Sequence, residues 1–251
     1  MKGVILAGGL GTRLSPLTKV TNKHLLPVYN RPMVFYPIEC LVNAGITDVL
    51  LVTGGNDAGD FLKLLGNGKQ FGLRELRYTY QEGEGGIADA LSLARDFADG
   101  GKLVVVLGDN IIEKDIRQGV ANFFTQRSGA RIYLKQVPDP ERFGVPVFED
   151  NRIVAIEEKP QEPKSPYAVI GIYMYDNQVF DFIDELEPSA RGELEITDVN
   201  NRYIQRGALE YDVLDGWWTD AGTFDSLLHA NKLVAEGGAN NVVASAPAVT
   251  V

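Results

Sequence analysis

Near the start of the chain, residues 3–14 read GVILAGGLGTRL: an apolar run breaks into Gly8, Gly9 and Gly11, followed at once by Thr12 and Arg13. Glycines let backbone N–H groups turn toward phosphate oxygens and approach them closely. Arg13 adds a permanently charged donor fork. The loop can therefore hold phosphate, or serve more plainly as a tight strand-to-helix turn. Two common phosphate loops do not fit. A Walker loop needs Gly-Lys-Ser/Thr after four residues, and Gly11 is followed by Thr12 and Arg13. The dinucleotide fingerprint needs a third glycine and an acidic residue about 20 positions on. Leu14 stands in place of that glycine, and the following stretch offers Lys19, Lys23 and His24. A basic loop trailed by a lysine suits a triphosphate better. Arg13 and Lys23 would then supply charge where it develops on a leaving pyrophosphate.

Such a loop must be held by rigid elements. GVILAG (3–8), DVLLVTGG (48–55) and KLVVVLGDN (102–110) are continuous runs of Val, Ile and Leu, as in strands buried on both faces of a parallel sheet. DAGDFLKLLGNG and GGIADALSLARDFADG between them are amphipathic, and the second closes on glycine as helices often do. Strands alternating with helices predict an α/β fold with a doubly wound, largely parallel, Rossmann-like sheet. Ligands of such sheets lie at the carboxyl ends of the strands.

The second half reads differently. FGVPVFEDNRIVAIEEKP predicts two strands around the turn EDNR, and YAVIGIYMYD predicts another. A helix over NQVFDFIDELE precedes SARGELEITDVNNRYIQRG, a turn leading into a helix. ALEYDVLDGWWTDAG reads as strand and turn before a last helix from about Thr223, and NNVVASAPAVTV as a frayed tail.

The net charge of -10, from 24 basic and 34 acidic residues, argues against a general nucleic-acid or membrane-surface binder. An anionic ligand would need a local positive site. Cys40 is the single cysteine, which excludes a disulfide framework and a cysteine metal cluster and leaves a small buried hydrophobe. No leader pattern and no bilayer-length apolar run stand out, so the expectation is a soluble, cytoplasmic protein.

The stretch LAGGLGTRLSPLTKVTNKHLLPV resembles the signature of the sugar-nucleotide pyrophosphorylases, which join a sugar 1-phosphate to a nucleoside triphosphate. LGDNI, DPERFGV, EEKPQEPKSPYAVIGIYMYD, SARGELEITDVN and WWTDAGT are similar to one branch, the glucose-1-phosphate thymidylyltransferases, and together these motifs run from residue 3 to about 230. The resemblance implies a nucleotide-diphospho-sugar transferase fold, dTTP and α-D-glucose 1-phosphate as substrates, dTDP-glucose and pyrophosphate as products, and Mg²⁺ as cofactor. It implies one domain over 1–236, with a nucleotide part over about 1–115, a smaller sugar-phosphate part over about 116–236, and a tail over 237–251. It also implies a homo-oligomer, a tetramer in the family.

Residue by residue, the resemblance places Asp109 and Asp220 together on Mg²⁺, although Asp in a turn or before a helix is also ordinary local chemistry. It assigns Arg13, Lys23, Asp109, Lys159 and Asp220 to catalysis. Leu6, Gly8, Gly9, Gly11, Thr12, Arg13, Lys23, Asp109, Gln81 and Gly86 fall on the nucleotide. Gln81 offers a donor and an acceptor to the imide edge of a pyrimidine. Lys159 and Arg191 match the cations that hold the sugar phosphate; Arg191 could instead pair with Glu193 or Glu195. Gly144, Glu158 and Val169 match sugar-hydroxyl contacts, joined by Glu195 if it is not simply a helix-start carboxylate. Trp217 and Trp218 could wall a sugar or belong to the core.

Three features depart from the pattern. His24 stands where Gln is frequent, and can donate to phosphate or simply pack. Phe143 replaces a frequent Tyr. The chain ends before the extra helical sequence of longer members, which bears on whether product feedback at a subunit interface operates. Uridylyl transfer from UTP, another hexose 1-phosphate, and a silent nucleotide-sugar sensor are the alternatives. A silent sensor should have lost Arg13, Lys23 or one aspartate, and all are present.

Overall fold

The computed structural model describes residues 1–55 and 58–242. The first half forms β1 (Lys2–Ala7), a small hairpin of β2 (Pro27–Val28) and β3 (Arg31–Pro32), then β4 (Asp48–Gly54), β5 (Glu75–Gln81), β6 (Leu103–Leu107) and β7 (Asn110–Ile112). Helices α1 (Phe35–Asn43), α2 (Ala58–Leu65), α3 (Ile87–Ser92) and α4 (Arg95–Ala98) connect them. After α5 (Arg117–Thr125) come β8 (Ala130–Gln136), β9 (Gly144–Glu149), β10 (Arg152–Glu158) and β11 (Tyr167–Tyr175). The chain continues through α6 (Val179–Asp184), α7 (Ile196–Gln205), β12 (Leu209–Val213), β13 (Trp218–Asp220) and α8 (Phe224–Gly237).

One nine-stranded sheet runs in the order β10-β9-β11-β6-β1-β4-β5, with β8 beside β11 and β12 beside β8. The strands β6, β1, β4 and β5 are mutually parallel, as the βαβ pattern predicts. β11 then runs antiparallel to β6 and starts the second-half extension. Alternate residues of β1 face opposite sides. Val4 and Leu6 join a core with α3, α4, α6 and α7, whereas Ile5 and Ala7 join another with α1, α2 and α5. Burying each of the Val, Leu and Ile side chains among them contributes about 1.5–3 kcal/mol, which is why the strands read as unbroken apolar runs.

Two details matter for the cavity above the sheet. The register of β11 against β8 shifts between Val169 and Tyr173. Such a bulge bends the strand and ends regular pairing, and the freed N–H of Gly171 donates to Asn110 Oδ1 at 2.9 Å. Secondly, β13 pairs antiparallel with β7, setting Asp220 opposite Asn110. A small third core of Val28, Met33, Tyr36, Ile111, Ala221, Ala230 and Val234 lies under α8.

Two expectations need correction. The helix expected over GGIADALSLARDFADG is broken into α3 and α4. Ser92 Oγ donates to the Asp89 carbonyl at 2.7 Å, a back-bond that competes with the helical ladder. The tail does not fray from 237: Asn240 N donates to Ile112 O at 2.9 Å and Asn241 N to Glu113 O at 2.7 Å. Residues 243–251 of that tail lie outside the described residues. Cys40 is buried as expected, and burial pushes its thiol up to about 12.

Candidate active site

A cavity of about 710 Å³ opens at the carboxyl ends of β1, β5 and β6 and continues over the β11 bulge toward β9 and β10. Every residue that the sequence assigned to nucleotide, sugar phosphate or metal lines it. Leu6 and Gly8–Arg13 enter from the end of β1. Gly11 holds φ at 67°, the left-handed region that favours glycine, and starts the tight turn Thr12–Leu14, anchored by the buried Leu14. A Cβ on Gly11 would lie 2.9 Å from Lys23 Cβ. The missing side chain therefore lets Lys23 lean into the loop.

Lys23 Nζ reaches Asp109 Oδ2 at 2.5 Å, both side chains mostly buried. Burial alone would raise the Asp109 carboxyl, but the Lys23 charge and hydrogen bonds from Lys23 and Asn110 outweigh it and hold it well below the usual carboxylate range. His24 packs behind this pair. It is 2 % exposed, its Nδ1 meets Asn22 Oδ1 at 2.8 Å, and a Cβ on Gly108 would lie 2.6 Å from its ring. Burial and the neighbouring Lys23 charge push its pKa down to about 3. His24 is thus packed as a neutral wedge under the turn that carries Asp109, and it also lines the cavity.

Asp220 arrives on the β7–β13 ladder, and Ala221 N donates to the Asp109 carbonyl at 2.9 Å. Burial, then the Asp109 charge, raises its pKa to about 6 against the opposing pull of Arg142, Arg13 and Lys23. A Cβ on Gly222 would lie 3.1 Å from Arg13 Nη2, 3.5 Å from Asp220 Oδ2 and 3.6 Å from Asp109 Oδ2. Two carboxylate oxygens thus face one small space that a glycine keeps clear. Among the described residues no group of three or more His, Cys, Asp or Glu side chains is arranged to hold a metal. A carboxylate pair beside a phosphate loop fits Mg²⁺, which takes one or two carboxylates plus substrate phosphates.

Gln81 ends β5 and is buried; its Nε2 donates to Gly86 O at 3.1 Å and to Asp89 Oδ2 at 2.7 Å. Its two expected capacities are therefore reduced to one, because the donors are engaged and Oε1 is left as the acceptor. On the opposite side, Lys159 follows β10 with φ at 45°, uncommon for a residue with a side chain. Its Nζ is 3.5 Å from Glu158 Oε1. Glu158 Oε2 accepts from Thr197 Oγ1 at 2.6 Å. Arg191 does pair with its neighbours: Nη2 lies 2.8 Å from Glu195 Oε2, 3.4 Å from Glu158 Oε1 and 3.5 Å from Glu193 Oε2. Glu195 precedes α7 but makes no side-chain cap; it accepts from Arg191 and from Ser189 Oγ instead. Gly144 and Val169 are cross-strand partners where β9 meets β11.

The structure adds groups that the sequence did not single out. Arg142 Nη2 sits 3.5 Å from Asp220 Oδ2. Asn110 donates to Asp109 Oδ1 at 3.0 Å and accepts from Trp218 Nε1 at 2.7 Å. Trp218 lines the cavity edge-on to Phe143, with ring centroids 5.3 Å apart, whereas Trp217 packs on the core under α8. DPERFGV and LGDNI stand out as family-like strings, but the resemblance assigns only Gly144 and Asp109 from them to the site and passes over Arg142 and Asn110.

The chain is 46% identical over 238 residues to a glucose-1-phosphate thymidylyltransferase of Neisseria meningitidis, spanning 93% of this chain and 82% of that protein. It is also 46% identical to the protein of that name from Mycolicibacterium smegmatis, over the same shares of the two chains. A crystal structure of a Bacillus anthracis protein, provisionally named glucose-1-phosphate thymidylyltransferase and bound to a sucrose, superposes with a TM-score of 0.90 at 54% identity, over 94% of this chain and 96% of that one. A UDP-glucose pyrophosphorylase complexed with UDP-glucose superposes with a TM-score of 0.81 at 22% identity, over 94% and 98%, a likeness of fold. A model of the nucleotidyl transferase family matches residues 2–237. With its parallel sheet, its glycine loop and its paired aspartates, the chain belongs to the nucleotidyl transferase family.

Proposed function

We propose that the protein joins α-D-glucose 1-phosphate to dTTP, giving dTDP-glucose and pyrophosphate, with Mg²⁺ as cofactor. The observation that carries this reading is the β7–β13 ladder, which brings Asp220 beside Asp109 under the Arg13 loop. A sugar-phosphate oxygen attacks the α-phosphorus in line; the bond from that phosphorus to the bridging oxygen breaks, and its electron pair leaves with pyrophosphate. The attacking phosphate is already anionic near neutral pH, so no general base is required. The work falls on positioning and on charge.

In this reading Leu6, Gly8, Gly9, Gly11 and Thr12 cradle the triphosphate, and Arg13 and Lys23 neutralise the departing pyrophosphate. Gln81 Oε1 accepts the imide N–H of the base, with Gly86 beside it. Lys159 and Arg191 exchange their carboxylate partners for the sugar phosphate, while Gly144, Glu158, Val169 and Glu195 meet the sugar hydroxyls. Asp109 and Asp220 hold Mg²⁺, which when bound supplies a Lewis acid at the phosphate oxygens. Division of the chain near residue 115 into nucleotide and sugar parts, a homo-oligomeric assembly and a cytoplasmic location belong to the same proposal.

Thymine and uracil share the edge that Gln81 reads and differ by a methyl, a difference that pockets discriminate by only ~1–3 kcal/mol. The test is pyrophosphate release with Mg²⁺, glucose 1-phosphate and each nucleoside triphosphate in turn. We expect release to be strongest with dTTP and lost without Mg²⁺. Preference for UTP would move the activity to uridylyl transfer, and no release with any triphosphate would reject the reading.

A further inference from the structure

Arg142 stands where the two halves of the cavity meet. It closes the short turn Pro140–Arg142, so its backbone leads straight into Phe143 and Gly144 on the sugar side. Its guanidinium lies over the Phe143 ring, 5.1 Å from the centroid, and Nη1 donates to Asp139 Oδ2 at 2.7 Å. Nη2 is 3.5 Å from Asp220 Oδ2, the same oxygen that faces the Gly222 space. A single carboxylate oxygen thus lies within ion-pair distance of a guanidinium and also faces the space that fits a divalent ion.

We propose that Arg142 is a parked phosphate-binding residue, held on Asp220 in the substrate-free protein and released toward the phosphates of the reactants when Asp220 turns to the ion. The inference rests on the nucleotidyl-transfer reading above. Its logic is one of charge and reach. Arg13 and Lys23 serve the nucleotide side and Lys159 and Arg191 the sugar side, whereas Arg142 lies between them, where two anions must be brought together. The fork of an arginine has five donors. Asp139 and Phe143 keep this rigid planar fork in place, so when Asp220 turns away the Nη2 donors are freed without the guanidinium having to move far. The contact that is given up is a long one, 3.5 Å from Nη2 to Oδ2, and the guanidinium side of it remains open to the cavity.

Arg142→Ala and Arg142→Lys are compared with the unaltered protein in two measurements. The first is Mn²⁺ binding to the substrate-free protein by electron paramagnetic resonance, and the second is the steady-state rate of pyrophosphate release with Mg²⁺. Arg142→Ala should bind Mn²⁺ as tightly as the unaltered protein or several-fold tighter, because a rival for Asp220 is gone. Its kcat should nevertheless fall about 100-fold. Arg142→Lys, which keeps the charge and the fold should the Ala variant prove unstable, should recover part of that loss. Mn²⁺ binding that weakens in step with turnover would overturn the proposal by making Arg142 a mere support for Asp220, and unchanged turnover would overturn it equally. Absence of pyrophosphate release from the unaltered protein would instead reject the proposed function, while the Mn²⁺ comparison would still judge whether Arg142 and the ion compete for Asp220.

Discussion

Asp109 and Asp220 are the same side chain in opposite electrostatic circumstances. Lys23 holds Asp109 ionised, whereas burial and the Asp109 charge lift Asp220 to about 6 from 3.8. A carboxyl whose pKa rises on folding costs stability once the pH passes that raised value, and the cost vanishes below the unfolded value. Asp220→Asn should therefore raise the melting temperature of the metal-free protein at pH 7.5 and leave it nearly unchanged at pH 3. The gain is about 1–3 kcal/mol, or several degrees for a chain of this size. Asp109→Asn strands Lys23 and should cost about 2 kcal/mol at neutral pH, a loss that fades as acid protonates the native carboxylate. Both variants should lose most turnover, and melting curves at the two pH values separate their signs. Near-normal turnover in both would reject them as metal ligands. These two aspartates were legible because each sits in a short, distinctive string. Their encounter was legible only through the family resemblance, because it depends on a three-residue ladder between segments about a hundred positions apart.

The glycine loop, β7 and α8 meet at the site, and each is fixed by a different local device. Thr223 accepts from Ser226 N at 3.2 Å, and Ser226 Oγ accepts from Thr223 N at 3.0 Å, a capping box that fixes where α8 begins. Because this cap starts one residue after Gly222, its loss should be felt at Asp220. Thr223→Ala should cost about 1 kcal/mol and raise the Mg²⁺ concentration needed for half-maximal rate; an unaltered Mg²⁺ requirement would show that β13 is held without the cap. At this scale the sequence was uneven. β1, β4 and β6 stood out because both of their faces are buried. β5, ELRYTYQ, gave no such signal, since it lies at the sheet edge and most of its residues are only half-buried. β8, ARIYLKQ, mixes charged ends with its buried centre and was equally silent. The β11 bulge leaves no mark beyond Gly171.

Across the whole molecule, one sheet carries both the nucleotide loop and the sugar side, with β11 hydrogen-bonded to β6, β8 and β9. The two apolar cores lie on opposite faces of that sheet and share its strands. Loss of either half would strip hydrogen bonds from the other, so we expect a single cooperative unfolding transition in calorimetry. Nucleotide with Mg²⁺ at about 100 times its dissociation constant should add ~2.7 kcal/mol and shift that transition upward by roughly 5–10 °C. Two separated transitions, with only the first moved by nucleotide, would show that the halves unfold independently. No helix among the described residues is long and apolar enough to cross a membrane.

The placement of the two indoles has a practical consequence. The chain has 2 tryptophans, one lining the cavity and bonded to Asn110, the other packed on the core under α8. Filling the site must change the optical surroundings of Trp218 while leaving those of Trp217 nearly constant. With Trp217→Phe the protein becomes its own optical gauge, and emission from a single ring can follow nucleotide and sugar phosphate arriving in either order, before any bond is made.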